Sequence, residues 1–180
     1  MSDSSFVVRK GRPDTARSSR EERVYDLLDH LKITYRRVDH PATPSIESCA
    51  EIDKILGIHI CKNLFLCNAQ KTRFYLLMMP GDKPFRTKDL SHQIGSSRLS
   101  FAPPELMEKY LGLYPGSVSV LGLMNDTENH VTLLVDRDVF EQSSVGCHPC
   151  ENTSSLALSS RDLFETFLSA VHHEYTIVNL

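Results

Sequence analysis

Apolar positions recur at helical spacing near both ends of the chain and crowd into short runs between them. Val24, Leu27, Leu28 and Leu31 fall at i, i+3, i+4 and i+7, the stripe of an amphipathic helix. Residues 35–38 alternate and predict an edge strand. His40-Pro41-Ala42-Thr43-Pro44 must be extended or turning, because a residue before proline is pushed out of the helical region. Ser45 then reads as an N-cap for a helix that carries Cys49, Ile52, Ile55 and Leu56 on one side and ends at Gly57. Residues 63–67 form a near-continuous apolar run, as expected of a central strand. After a turn at 68–71, residues 73–79 form a second run, expected to pair antiparallel with the first.

Residues 87–93 predict a short helix closed by Gly95, and 98–101 a short strand. Pro103 and Pro104 open a helix presenting Leu106, Met107, Tyr110 and Leu111. Residues 118–123 read as semi-extended, 125–129 as a hairpin-like turn, 131–135 and 153–158 as strands. The last helix shows Leu163, Phe164, Phe167, Leu168 and Val171, and residues 175–178 read as a final strand. Mixed elements joined by short turns predict an α+β domain around a mixed, partly antiparallel sheet.

The 180 residues match one domain. The expected division is a disordered tail over 1–19, where Arg9, Lys10, Arg12 and Arg17 sit among Ser, Gly and Pro, and a folded domain over 20–180. A chain this long buries about 70% of its unfolded surface and needs no disulfide or metal to fold. The net charge of −3 excludes a histone-like polycation but not a local basic face. No apolar run approaches the ~18 residues of a membrane span. The five cysteines read as reduced thiols of a cytoplasmic protein.

The sequence holds no GxSxG, Walker, GxGxxG or HExxH pattern. Cys147-His148-Pro149-Cys150 has a two-thiolate spacing suited to zinc. The spacing of Cys61 and Cys67 does not complete a knuckle, so no metal or other cofactor is expected. Of the histidines, His40, His59 and His92 read as surface or structural. His148 is distinctive, lying beside proline in a polar turn between apolar segments. Lys71, Arg73, Lys83, Arg86 and Lys88 face one acid, Asp82, across residues 71–88. That cluster fits either phosphate contact or an ordinary solvated face. Lys62, at the mouth of an apolar strand, either borders a pocket or snorkels to solvent.

Five stretches carry a resemblance, in order: Val38-Asp39-His40-Pro41, Cys61-Lys62-Asn63-Leu64-Phe65-Leu66, Arg98-Leu99-Ser100-Phe101-Ala102, Leu113-Tyr114-Pro115-Gly116-Ser117-Val118, and His148-Pro149 with Asn152-Thr153. Together the chain resembles the YbaK/ProX family of aminoacyl-tRNA deacylases over residues 22–178, on the branch that removes alanine from proline tRNA. The resemblance implies a single α+β domain with a mixed, curved sheet surrounded by helices. It implies trans-editing hydrolysis of a mischarged aminoacyl-tRNA, most readily Ala-tRNA(Pro), with tRNA and prolyl-tRNA synthetase as partners. It carries the catalytic role to Lys62 and substrate contacts to Asn63, Gly116, Ser117, Val118, Val120, His148 and Asn152. In the family's Gly-x-x-x-Pro loop this chain departs from the pattern, with Val120 at the closing proline. Two alternatives stand beside this: a non-catalytic tRNA- or synthetase-binding module, and a deacylase for serine, cysteine or threonine.

Overall fold

The apolar runs resolve into two sheets. In the computed structural model, residues 6–42, 46–59 and 61–180 are described. The strands are β1 (Val8–Lys10), β2 (Arg36–Asp39), β3 (Cys61–Cys67), β4 (Phe74–Pro80), β5 (Ser100–Phe101), β6 (Val131–Asp136), β7 (Ser144–Cys147), β8 (Ser154–Ser159) and β9 (Tyr175–Val178). The helices are α1 (Ser19–His30), α2 (Ile46–Leu56), α3 (Thr87–Ile94), α4 (Pro104–Leu111), α5 (Arg137–Phe140) and α6 (Leu168–Ala170). The fold class is α+β, as the sequence predicts.

One sheet has the order β5-β3-β4-β6-β9, with β3 antiparallel to β4 and β5, and β4, β6 and β9 parallel. Both faces of β4 are covered, which explains its unbroken apolar run. Phe74, Leu76 and Met78 join the main core with Val24, Tyr25 and Leu28 of α1 and Leu111 of α4. Tyr75, Leu77 and Met79 face the other way, into a second core closed by Leu90 of α3. The other sheet is antiparallel, in the order β1-β2-β8-β7.

Three local expectations are corrected. Residues 35–38 predict an edge strand, but β2 lies between β1 and β8. The reason is a second correction: residues 8–10, expected within a disordered tail, pair with β2 in the register Val8↔Val38 to Lys10↔Arg36. Arg12 then reaches Glu22 and Asp26 of α1, and Arg17 reaches Asp39. Third, residues 118–123 are expected to be semi-extended, but 120–125 form a 3-10 turn. Ser119 caps it by accepting from the Leu121 N–H at 3.2 Å. A Cβ at Gly122 would stand 2.7 Å from Leu113 Cδ1, so glycine permits the close approach that this winding needs. The expected cap at Ser45 lies outside the described residues.

Candidate active site

A cavity of about 260 Å³ opens where β3, β7 and β8 converge under α2. This is just below the ~300–1,000 Å³ typical of small-molecule sites, and so suits a very small group. Its lining includes His40, Cys61, Asn63, Gly116, Cys147, His148, Asn152 and Ser155. Side chains alternate along a strand, so Cys61 and Asn63 share the face that Phe65 carries into the main core. The Asn63 Oδ1 is buried and, among the described residues, accepts no hydrogen bond. A buried acceptor left unpaired costs about 1–3 kcal/mol, which a turn of the amide toward a donor in the cavity would recover.

Two histidines face each other with ring centroids 6.0 Å apart. Each has its tautomer set by a backbone carbonyl, which can only accept. His148 Nδ1 lies 2.8 Å from the Ser154 carbonyl, so Nδ1 carries the proton and Nε2 is the acceptor. His40 Nδ1 likewise donates to the Pro41 carbonyl at 2.9 Å, and its Nε2 lies 2.8 Å from Ser155 Oγ. Burial pushes the His148 pKa below the ordinary histidine value, with the neighbouring His40 adding to the shift and the Ser154 bond opposing it. The imidazole is therefore neutral near pH 7. Behind it, Ser154 Oγ donates to Asp39 Oδ1 at 2.6 Å, which fixes the strand end that holds His148.

The third wall is a turn. Ser117 N–H donates to the Tyr114 carbonyl at 3.0 Å, with Pro115 and Gly116 at the two central positions. Gly116 has φ +94°, a left-handed value that a type II turn requires at this place. An added Cβ there would stand 3.5 Å from Asn152 Nδ2, an ordinary contact, so it is the left-handed backbone and not crowding that calls for glycine. Tyr114 OH donates to Glu151 at 2.6 Å and lies 3.0 Å from Asn152 Oδ1. Ser119 Oγ donates to the His148 carbonyl at 2.6 Å, tying this turn to the histidine loop.

Residues 40–166 match the aminoacyl-tRNA editing domain family. The chain belongs to this family. It is 36% identical over 143 residues to the prolyl-tRNA editing protein ProX of Acetoanaerobium sticklandii, covering 79% of this chain and 87% of that protein. It is 29% identical to the prolyl-tRNA synthetase associated domain-containing protein 1 of Danio rerio, covering 86% of this chain and 84% of that one. A solved structure of a candidate trans-editing enzyme for prolyl tRNA synthetase superposes with a TM-score of 0.63 at 16% identity. It covers 92% of this chain and 99% of that one, a likeness of fold.

Within this editing domain, four residues singled out from the sequence meet around one cavity: Asn63, Gly116, His148 and Asn152. Lys62 does not join them. The expectation that Lys62 and Asn63 share a pocket fails on strand geometry, since consecutive residues face opposite sides. Lys62 Nζ instead donates to the Lys83 carbonyl at 2.5 Å, on the side of the second core. Ser117, Val118 and Val120 support the turn from within and do not line the cavity. The Ser117 hydroxyl bonds back to Tyr114, Val118 packs on the main core, and Val120 is fully buried in it.

Sequence reasoning set His40 aside as structural, although it lies in the Val38–Pro41 stretch that carried the resemblance. It also missed the apolar wall of the editing domain, made by Ile52 and Ile58. No periodicity marks Ile58, but its partner could have been suspected from Gly146, a glycine in a strand. A Cβ at Gly146 would overlap Ile58 Cδ1 at 2.2 Å. Cys61 and Cys147 also line the cavity. Burial pushes the Cys61 thiol up to about 12 and raises that of Cys147 as well, so both stay protonated and are poor nucleophiles or metal ligands. No helix among the described residues is long and apolar enough to cross a membrane.

Proposed function

We propose that this protein is a trans-editing aminoacyl-tRNA deacylase acting on mischarged tRNA, with alanine on proline tRNA as its preferred substrate. The observation that carries this reading is the small cavity lined on one side by Asn63, whose Oδ1 is buried without a partner among the described residues, and on another by a neutral imidazole. The aminoacyl group enters with its α-ammonium toward Asn63 Oδ1 and Asp53, which also lines the cavity. His148 Nε2 accepts a proton from the attacking water, a role for which a neutral, tautomer-fixed imidazole is suited. The ester is already activated, so no enzyme nucleophile is needed, and the two protonated thiols are spectators.

Selectivity follows from size. Ile58 seated on Gly146 leaves room for a methyl side chain and sets a wall against the prolyl ring. A pocket that must favour a larger group discriminates against a missing methylene by only ~1–3 kcal/mol, whereas exclusion by overlap has no such ceiling. Lys62 enters from outside the cavity. Among the described residues β5 pairs with β3 only at Leu66 and Cys67, so at Cys61–Leu64 only the strand edge separates the two faces. With the aminoacyl group on one side of that edge, the Lys62 ammonium on the other meets the terminal phosphate, not the carbonyl. We assign the protein to translation in the cytoplasm, with prolyl-tRNA synthetase as the source of its substrate.

Proline tRNA charged in turn with alanine, serine, cysteine, threonine and proline, and incubated with the purified protein, tests this. Alanyl ester is expected to be hydrolysed fastest and prolyl ester spared. Binding of every charged tRNA with none hydrolysed would overturn the reading in favour of a binding module.

A further inference from the structure

Phe101 is 63% exposed, the most exposed large apolar side chain among the described residues. It lies opposite Leu66 in the β3–β5 pair, and directly opposed residues present their side chains to one face. That face is the one on which Lys62 lies, away from the cavity. Phe85 stands beside Phe101 in an edge-to-face contact, centroids 6.4 Å apart. Phe85 belongs to the segment after β4 whose Lys83 carbonyl receives the Lys62 ammonium. Lys62, the Lys83 segment, Phe85 and Phe101 therefore form one continuous track. From Lys62 to Leu66 it follows four residues of β3, about 13 Å at the usual strand rise.

The charges beside this track are mostly positive. Arg86 follows Phe85, Lys88 lies in the first turn of α3, and Arg98 precedes β5, all three exposed. Asp82 and Asp89 are the acids among them. Lys83 itself is tied to Asp136 and Asp138, at 2.9 and 2.7 Å. Aromatic faces flanked by cations are how proteins hold unpaired nucleotides: rings stack on bases while cations meet the backbone.

We propose that Phe85 and Phe101 form a stacking platform for the unpaired nucleotides that precede the charged terminal nucleoside of the tRNA. This rests on the deacylase reading, in which the ester enters the cavity and the polynucleotide leaves past the β3 edge at Lys62. The platform continues that path and gives the basic cluster of residues 71–88 a partial use. It also accounts for an apolar ring, Phe101, kept in solvent on an edge strand, where it buries little and exposes the fold to unwanted association.

The test compares Phe85→Ala and Phe101→Ala, singly and together, on two substrates: alanyl-tRNA(Pro) and alanyl-adenosine, which lacks the preceding nucleotides. The double variant is expected to raise KM for the tRNA about tenfold or more, leaving kcat and hydrolysis of alanyl-adenosine unchanged. Phe101→Tyr should restore binding and Phe101→Leu should not. An unchanged KM for tRNA, equal losses on both substrates, or rescue by leucine would each overturn the platform. The last would indicate an apolar protein contact instead. Affinity for an uncharged oligonucleotide ending in CCA, measured with the same variants, reports on the platform without catalysis. If the wild type hydrolyses neither ester, the deacylase reading fails, and the platform stands or falls on that affinity alone.

Discussion

On one face of β3, Cys61 and Asn63 stand against a small cavity with histidines and a glycine turn across from them. On the other, Lys62 and Leu64 lie toward a second core and a pair of phenylalanines, of which Phe101 faces solvent and Phe85 packs on that core. The same strand thus offers an enclosed, charge-poor surface and an open, cation-bearing one, separated by the thickness of a backbone. The enclosed face suits recognition of a few atoms by shape and by one unsatisfied oxygen. The open face suits a long, charged, flexible polymer. A substrate that is a tiny aminoacyl group joined to a large nucleic acid needs both, and the strand edge is where the two parts join.

The largest expected effect comes from the enclosed side. His148→Ala is expected to lower kcat at pH 7 by about a hundredfold or more, on alanyl-tRNA and alanyl-adenosine alike. The proton-accepting form is neutral and its pKa is depressed by burial. The wild-type rate should therefore hold as pH falls through the ordinary histidine value of about 6.5 and drop only below it. The variant should lack that acid limb. An unchanged pH profile in His148→Ala would remove the histidine from proton transfer.

The comparison is sharpened next by neighbours on opposite faces. Asn63→Ala is expected to cost about 10- to 100-fold in kcat/KM on both substrates, the scale of a hydrogen bond to a charged group. Lys62→Ala is expected to cost a similar factor on alanyl-tRNA and little on alanyl-adenosine, which has no terminal phosphate. Equal losses on both substrates for Lys62→Ala would mean that its side chain turns into the cavity when substrate binds, and the two-face division would break.

Much of this was legible along the chain. The strong periodicities near Val24 and in residues 63–67 and 73–79 specify elements through burial that any register must satisfy. The tail failed because Val8–Lys10 is too short and too polar to advertise a strand, and it is held by pairing with a distant segment. Lys62 lies outside the cavity for a different reason. The resemblance passed a motif over as a block, while pleating deals its members alternately to two faces. His40 was missed because a lone histidine carries no local sign of what it meets, and its partners Ser155 and His148 are more than a hundred residues away.

The smallest effect is expected at Val120, where the resemblance implies a proline. Val120 opens the 3-10 turn, and Ser119 before it is already extended, at φ −149° and ψ 145°. Proline is at home after an extended residue and at a first helical position. Val120→Pro should therefore alter kcat/KM less than about threefold and stability by no more than ~1 kcal/mol. A larger change, by kinetics or thermal melting, would show that the Ser119 bond to His148 does not by itself keep the loop rigid.

The contact of Ile58 on Gly146 has an evolutionary corollary. The apolar side chains Ile52 and Ile58 that wall the cavity come from the segment around α2, whereas the residues proposed for the chemistry come from β3, the Gly116 turn and the His148 loop. Appetite and reactivity are therefore held in separate stretches of chain. A descendant with a roomier or tighter α2 region would change its diet without rebuilding its hydrolytic apparatus.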